Sequence, residues 1–156
     1  MAYKDPENTL LLETTVGPVV IEMRPDLAPG HVERIKELAR AGEYDGVVFH
    51  RVIDGFMAQG GDPTGTGAGG SGKKLPAEFS AEPHVRGICS MARTQDPNSA
   101  DSQFFIVFGD ATFLDRQYTV WGKVISGMEA VDKIKRGEPV REPDRIVKMR
   151  VAADAA

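Results

Sequence analysis

The sequence predicts a mainly β domain whose strands close into a barrel, with two helices covering its openings or edges. Three observations lead there. Short apolar or alternating runs recur along the whole chain, only two segments carry helical spacing, and glycine, proline and aspartate separate the runs at turn positions. The 156 residues suit one domain with one sizeable core, so a single domain spanning 1–156 is expected. No internal repeat is visible.

The segment "TLLLETTVGPVVIEM" reads as an opening hairpin turning near Gly17-Pro18, with Val19, Ile21 and Met23 alternating against Val20, Glu22 and Arg24. Next, "APGHVERIKELARAG" sets Val32, Ile35, Leu38 and Ala39 at helical spacing, with Pro29 suited to the first turn and Gly42 to the stop. Further strands are predicted at residues 47–53, 56–60, 87–92, 103–108, 119–125 and 145–151. The second helix is "GMEAVDKIKRG", where Met128, Val131 and Ile134 form a stripe and Lys133, Lys135 and Arg136 sit near the negative end of the dipole.

Composition narrows the function classes. Hydrophobic residues make up 41% and charged ones 27%, the balance of a soluble globular protein. Acidic residues outnumber basic ones, 23 to 19, so a nucleic-acid partner is not expected, because phosphate binding wants a basic face. Leu10-Leu11-Leu12 is far too short for a membrane span or signal core and lacks a basic flank, which predicts no membrane association and a cytoplasmic protein. The single cysteine, Cys89, suits a reducing compartment and is expected in a buried strand.

Several motifs lack the context that would give them chemistry. Gly65, Gly67 and Gly70 satisfy GxGxxG, and Gly67 through Lys73 satisfy GxxxxGK, but both need a helix directly behind. Here "KLPAEFS" follows, and Lys74 stands where a hydroxyl would bind magnesium. His31, His50 and His84 are scattered without metal-ligand spacing, so no metal and no cofactor is predicted. Lys73 breaks a GxSxG elbow around Ser71. Trp121 alternates with Val120 and Gly122 and is expected to pack in the core.

One constellation survives. In "GFMAQGG", Met57 and Gln59 share a strand face; in "SQFFIVFG", Gln103, Phe105 and Val107 share one face, and Phe104, Ile106 and Phe108 the other. A barrel buries only one face inside. If Phe104, Ile106 and Phe108 fill the interior, Phe105 beside Gln103 must meet a covering element or a ligand, and so must Met57 beside Gln59. Arg51 lies close by in sequence. An apolar pocket with a guanidinium and two amides, but no base and no nucleophile, suits a reaction that breaks no covalent bond.

"FHRVIDGFMAQGGD", "GICSMAR", "DSQFFIVFGDATFLD" and "YTVWGKVISGME" resemble the cyclophilin family of peptidyl-prolyl cis-trans isomerases, especially its bacterial cytoplasmic members, over nearly the whole chain. The resemblance implies a closed eight-stranded antiparallel barrel capped by two helices, with the active groove on its outer surface. It implies rotation about Xaa-Pro bonds in proteins and peptides, an activity that assists folding, with proline-containing peptides and unfolded proteins as partners. A monomer is expected, since no surplus apolar helix stripe demands a partner. By position, Arg51 matches the catalytic arginine and Gln59 the glutamine that orients it. Phe56, Met57, Phe105 and Leu114 match the proline pocket, and Ala92, Arg93 and Gln103 the groove for the backbone before it. Arg93 stands where better-known members have asparagine, and Tyr118 where they have histidine. Phe113 takes the place of a tryptophan associated with tight cyclosporin binding, which implies weak binding of that drug. The loop "RTQDPNSAD" is one residue longer than in common members, so no role is carried onto residues 96–101.

Overall fold

The computed structural model describes residues 5–65, 69–137 and 140–154. Its strands are β1 (Thr9–Thr14), β2 (Gly17–Met23), β3 (Arg51–Ile53), β4 (Met57–Gly60), β5 (Ile88–Met91), β6 (Phe104–Val107), β7 (Val120–Ser126) and β8 (Ile146–Val151). Two helices, α1 (Pro29–Arg40) and α2 (Met128–Val131), accompany them. The eight strands form one sheet in the order β3-β4-β6-β5-β7-β2-β1-β8, antiparallel at every neighbour.

The expected hairpin is β1–β2. Leu10 pairs with Ile21 and Leu12 with Val19, and all four side chains point into the core. The reversal falls at Thr15-Val16, just before Gly17-Pro18, because Thr14 Oγ1 donates to the Gly17 carbonyl and accepts from the Val16 N–H.

Helix α1 buries Val32, Ile35, Leu38 and Ala39 as its spacing predicts, with His31 beside them. Pro29 opens it, and the Gly30 and His31 N–H groups donate to the Glu78 carboxylate at 3.1 and 2.8 Å. At the other end Gly42 takes φ +74°, its N–H bonds Ala39 O, and the Glu43 N–H bonds Leu38 O, which closes a Schellman cap.

Two expectations about the fold need correction. The second helix stops at Val131 instead of running towards Gly137. Past Asp132 the chain continues as single turns, and the Arg136 guanidinium takes the carbonyls of Asp132 and Ile134, which a continuing helix would have used itself. Ile134 still reaches the core.

The sheet is also an open half-barrel and not a closed barrel. No ladder joins β3 to β8. The predicted strand 47–53 narrows to Arg51–Ile53, because the outer edge of β3 is occupied by Gly137, whose N–H and C=O both bond Val52 at 2.8 Å. Residues 46–49 cross the seam irregularly instead, through Gly46 N–H to Ile146 O, Ile146 N–H to Val47 O and Phe49 N–H to Asp144 O.

Alternation sorts the apolar residues onto two faces. Phe104, Ile106 and Phe108 join the interior with Leu10, Ile21, Met149 and Trp121. Trp121 is fully buried and meets Phe104 edge-on at 5.7 Å. Cys89 is buried in the same core, and burial pushes its thiol well above the usual range. On the outer face Met57, Ile88, Phe105, Val107 and Val120 form a second cluster, covered by residues that follow β6.

Candidate active site

The outer cluster is where the predicted residues meet. Arg51 of β3 pairs with Gln59 of β4, and Gln59 pairs with Phe105 of β6, so the three lie in one row on one face of the sheet. Beside that row is a cavity of about 140 Å³ lined by Arg51, Phe56, Met57, Gln59, Ala92, Arg93, Phe105, Leu114 and Tyr118. Met57 and Phe105 are almost wholly buried and form its floor, while Phe56, Leu114 and Tyr118 are partly exposed walls. Tyr118 meets Phe105 edge-on at 5.7 Å.

The polar side of the cavity is a chain of amides. Arg51 Nη1 donates to Gln59 Oε1 at 3.3 Å, Gln59 Nε2 to Gln103 Oε1 at 2.9 Å, and Gln103 Nε2 to the Gly69 carbonyl at 2.9 Å. Each amide oxygen accepts while its nitrogen donates onward, which fixes both flips and aims the guanidinium at the apolar cavity. Gln103 does not line that cavity. It faces an adjoining groove shared with Gln59, Ala92 and Arg93. Phe113 stands on the rim, packed on Phe56 at 5.5 Å and 66% exposed.

Arg93 is partly exposed and tied down by its own chain. Its guanidinium donates to the backbone carbonyls of Thr94, Gln95 and Gln117, and it lies 4.7 Å from the centre of the Tyr118 ring. The side chain thus braces the cavity wall.

Sequence reasoning missed the supports behind these walls. His84 is buried, stacks on Phe105 at 6.3 Å, and touches Asp115 and Ser90. Burial lowers its pKa, and the Asp115 carboxylate opposes part of that shift. Asp115 is 31 residues away along the chain, so no local pattern announces the contact.

The glycine-rich loop is also explained by its carboxylates. Asp62 accepts the Thr64 and Gly69 N–H groups, and Asp101 those of Ser71 and Gly72. These amides, which a phosphate would need, are already bonded within the chain. Gly67, on which both glycine motifs depend, lies outside the described residues. Among the described residues, no three histidine, cysteine or carboxylate side chains group as a metal-ion site.

Known proteins are similar to this chain over most of its length. A family model described as cyclophilin type peptidyl-prolyl cis-trans isomerase/CLD matches residues 9–151. A probable peptidyl-prolyl cis-trans isomerase of Brucella suis is 56% identical, over 96% of this chain and 85% of its own length. The human peptidyl-prolyl cis-trans isomerase-like 3 is 45% identical, over 86% of this chain and 85% of its own. The crystal structure of a cyclophilin from Hirschia baltica superposes with a TM-score of 0.90 at 33% identity, covering 97% of this chain and 76% of that one. With matches of this extent, the chain belongs to the cyclophilin-type peptidyl-prolyl cis-trans isomerase family.

Proposed function

We propose that this isomerase works through Arg51, held by Gln59 at the edge of a pocket in which Phe56, Met57, Phe105, Leu114 and Tyr118 seat the proline ring. The observation that carries the reading is a guanidinium bonded to Gln59 on the wall of a mostly apolar cavity.

An amide resists rotation because nitrogen lends its lone pair to the carbonyl, with a barrier of roughly 18–20 kcal/mol. The two Xaa-Pro isomers are nearly balanced in energy, so the catalyst has only to ease passage through the twisted state. There the nitrogen becomes pyramidal and accepts a hydrogen bond that the planar imide offers weakly. Arg51 donates it, which is binding specific to the transition state. The pocket grips the ring while the preceding carbonyl turns, and Ala92, Arg93 and Gln103 border the groove for the backbone that moves.

A charge-assisted hydrogen bond contributes about 1.5–3 kcal/mol, and each 1.36 kcal/mol is about tenfold in rate. Arg51→Ala should therefore keep the fold and lose on the order of a hundredfold in turnover. NMR exchange on a short Xaa-Pro peptide measures this directly. Wild-type protein should speed cis-trans exchange; line shifts without exchange would mark a passive proline binder, and near-normal turnover by Arg51→Ala would remove Arg51 from the mechanism.

The finer readings extend this proposal. Substrates are proline-containing segments of peptides and unfolded proteins, and the activity assists folding. The chain acts as one domain and as a monomer, since the apolar side of α1 is turned to the core. Its site is the cytoplasm. Cyclosporin binds weakly, because Phe113 has no ring N–H to donate from the rim.

A further inference from the structure

The row of outward-facing residues does not end at Phe105. Ser90 of β5 pairs directly with Phe105, and its hydroxyl lies 3.0 Å from His84 Nε2 and 2.9 Å from the Thr119 carbonyl. The His84 ring stacks on Phe105 with 21° between the planes. On its far side one oxygen of Asp115 accepts both the His84 backbone N–H, at 2.7 Å, and ring Nδ1, at 3.1 Å. Asp115 directly follows Leu114 and ends the short 3₁₀ turn Thr112–Leu114.

A carboxylate can only accept, so Nδ1 carries the hydrogen, and in the neutral ring Nε2 is left as an acceptor that shares the single Ser90 hydroxyl hydrogen with the Thr119 carbonyl. Both ring nitrogens are thus engaged and the ring plane is fixed. Packing alone would not require this, because a phenyl ring fills the same space without polar atoms to satisfy. The imidazole adds a tie between Phe105 on a strand and Leu114 on a separate turn.

We infer that His84 is a positioning residue of the isomerase site, setting the gap between the Phe105 ring and the Leu114 turn into which the proline ring fits. The inference rests on the assignment of Phe105 and Leu114 to the proline pocket. His84 is fully buried, and no hydrogen bond joins it to the Arg51–Gln59–Gln103 chain among the described residues, so it governs capture of the ring and leaves the rotation step to Arg51.

The test compares His84→Phe, which keeps a ring on Phe105 and loses both polar ties, with Asp115→Ala and the conservative Asp115→Asn, which retains an acceptor oxygen. For a short Xaa-Pro peptide, His84→Phe and Asp115→Ala should raise KM about fivefold or more with kcat within about twofold, and Asp115→Asn should recover most of that loss. Circular dichroism identifies the folded variants; should His84→Phe not fold, the pair at Asp115, whose side chain is 29% exposed, decides the matter. Unchanged KM in the folded variants, or kcat falling with KM constant, would overturn the positioning role while wild-type activity leaves the pocket assignment standing. A wild-type protein without isomerisation would overturn both.

Discussion

At Arg93 the charge is anchored within its own chain. The guanidinium is tied to three backbone carbonyls and lies against Tyr118, so Arg93 and Tyr118 act as a pair. Arg93→Ala should cost about 1–2 kcal/mol, from its cation–π contacts with Tyr118 and Phe79 and the net worth of the lost hydrogen bonds. Thermal melting should register it as a midpoint lower by roughly 2–8 °C, and an unchanged midpoint would show that the brace contributes nothing. The residues of this site were legible in sequence to the extent that strand alternation reveals them. Met57 with Gln59 and Phe105 with Gln103 could be placed on the outer face from periodicity alone. His84, Ser90 and Asp115 could not, because each is an ordinary polar residue whose meaning lies in a partner brought close only by folding.

Among the elements, β5, β6 and β8 were read within one residue at each end, although the β5–β7 and β1–β8 ladders both shift register. The misreadings occur where a side chain or a distant segment competes for the backbone. Arg136 does so at the end of α2 and Gly137 at the edge of β3. Neither competitor is visible in the periodicity of the segment it interrupts. The start of α2 has its own constraint. Gly127 takes φ +88°, and a Cβ there would run into the Pro18 carbonyl of β2. Gly127→Ala should lose about 1–3 kcal/mol through the backbone conformation alone, and the collision adds to it. Urea unfolding should show a lower midpoint with an unchanged slope; a variant as stable as the parent would mean that β2 and α2 can separate without cost.

For the whole molecule, stability is coupled to pH through buried groups distributed over the fold. His31, His50 and His84 all have pKa values lowered from 6.5, in each case chiefly by burial, with Glu78, Asp62 and Asp115 opposing. The folded state therefore binds fewer protons than the unfolded chain just below pH 6.5. Their stabilising contribution is complete above that pH and is lost as the pH falls through the folded values. A second loss begins lower, near 3.8–4.5, as carboxylates such as Asp45 and Glu78 are protonated. Arg150 chiefly holds Asp45 below its usual value; at Glu78 burial acts upward, and His31 with the amides of α1 more than offsets it. Melting midpoints at pH 7.5, 6.0 and 5.0 should descend in that order, and a flat series would contradict the burial of the three rings.

The seam of the half-barrel bears on the same site from a different direction. Arg51 belongs to β3, the terminal strand of the sheet, which has a laddered neighbour on one side only and elsewhere relies on its paired bonds to Gly137. Fraying of that margin reaches the guanidinium before it disturbs the interior, because the pairing of β1, β2 and β7 does not depend on it. Amide deuterium uptake will accordingly be uneven, and the molecule can loosen the border that carries Arg51 while its hydrophobic centre stays shut.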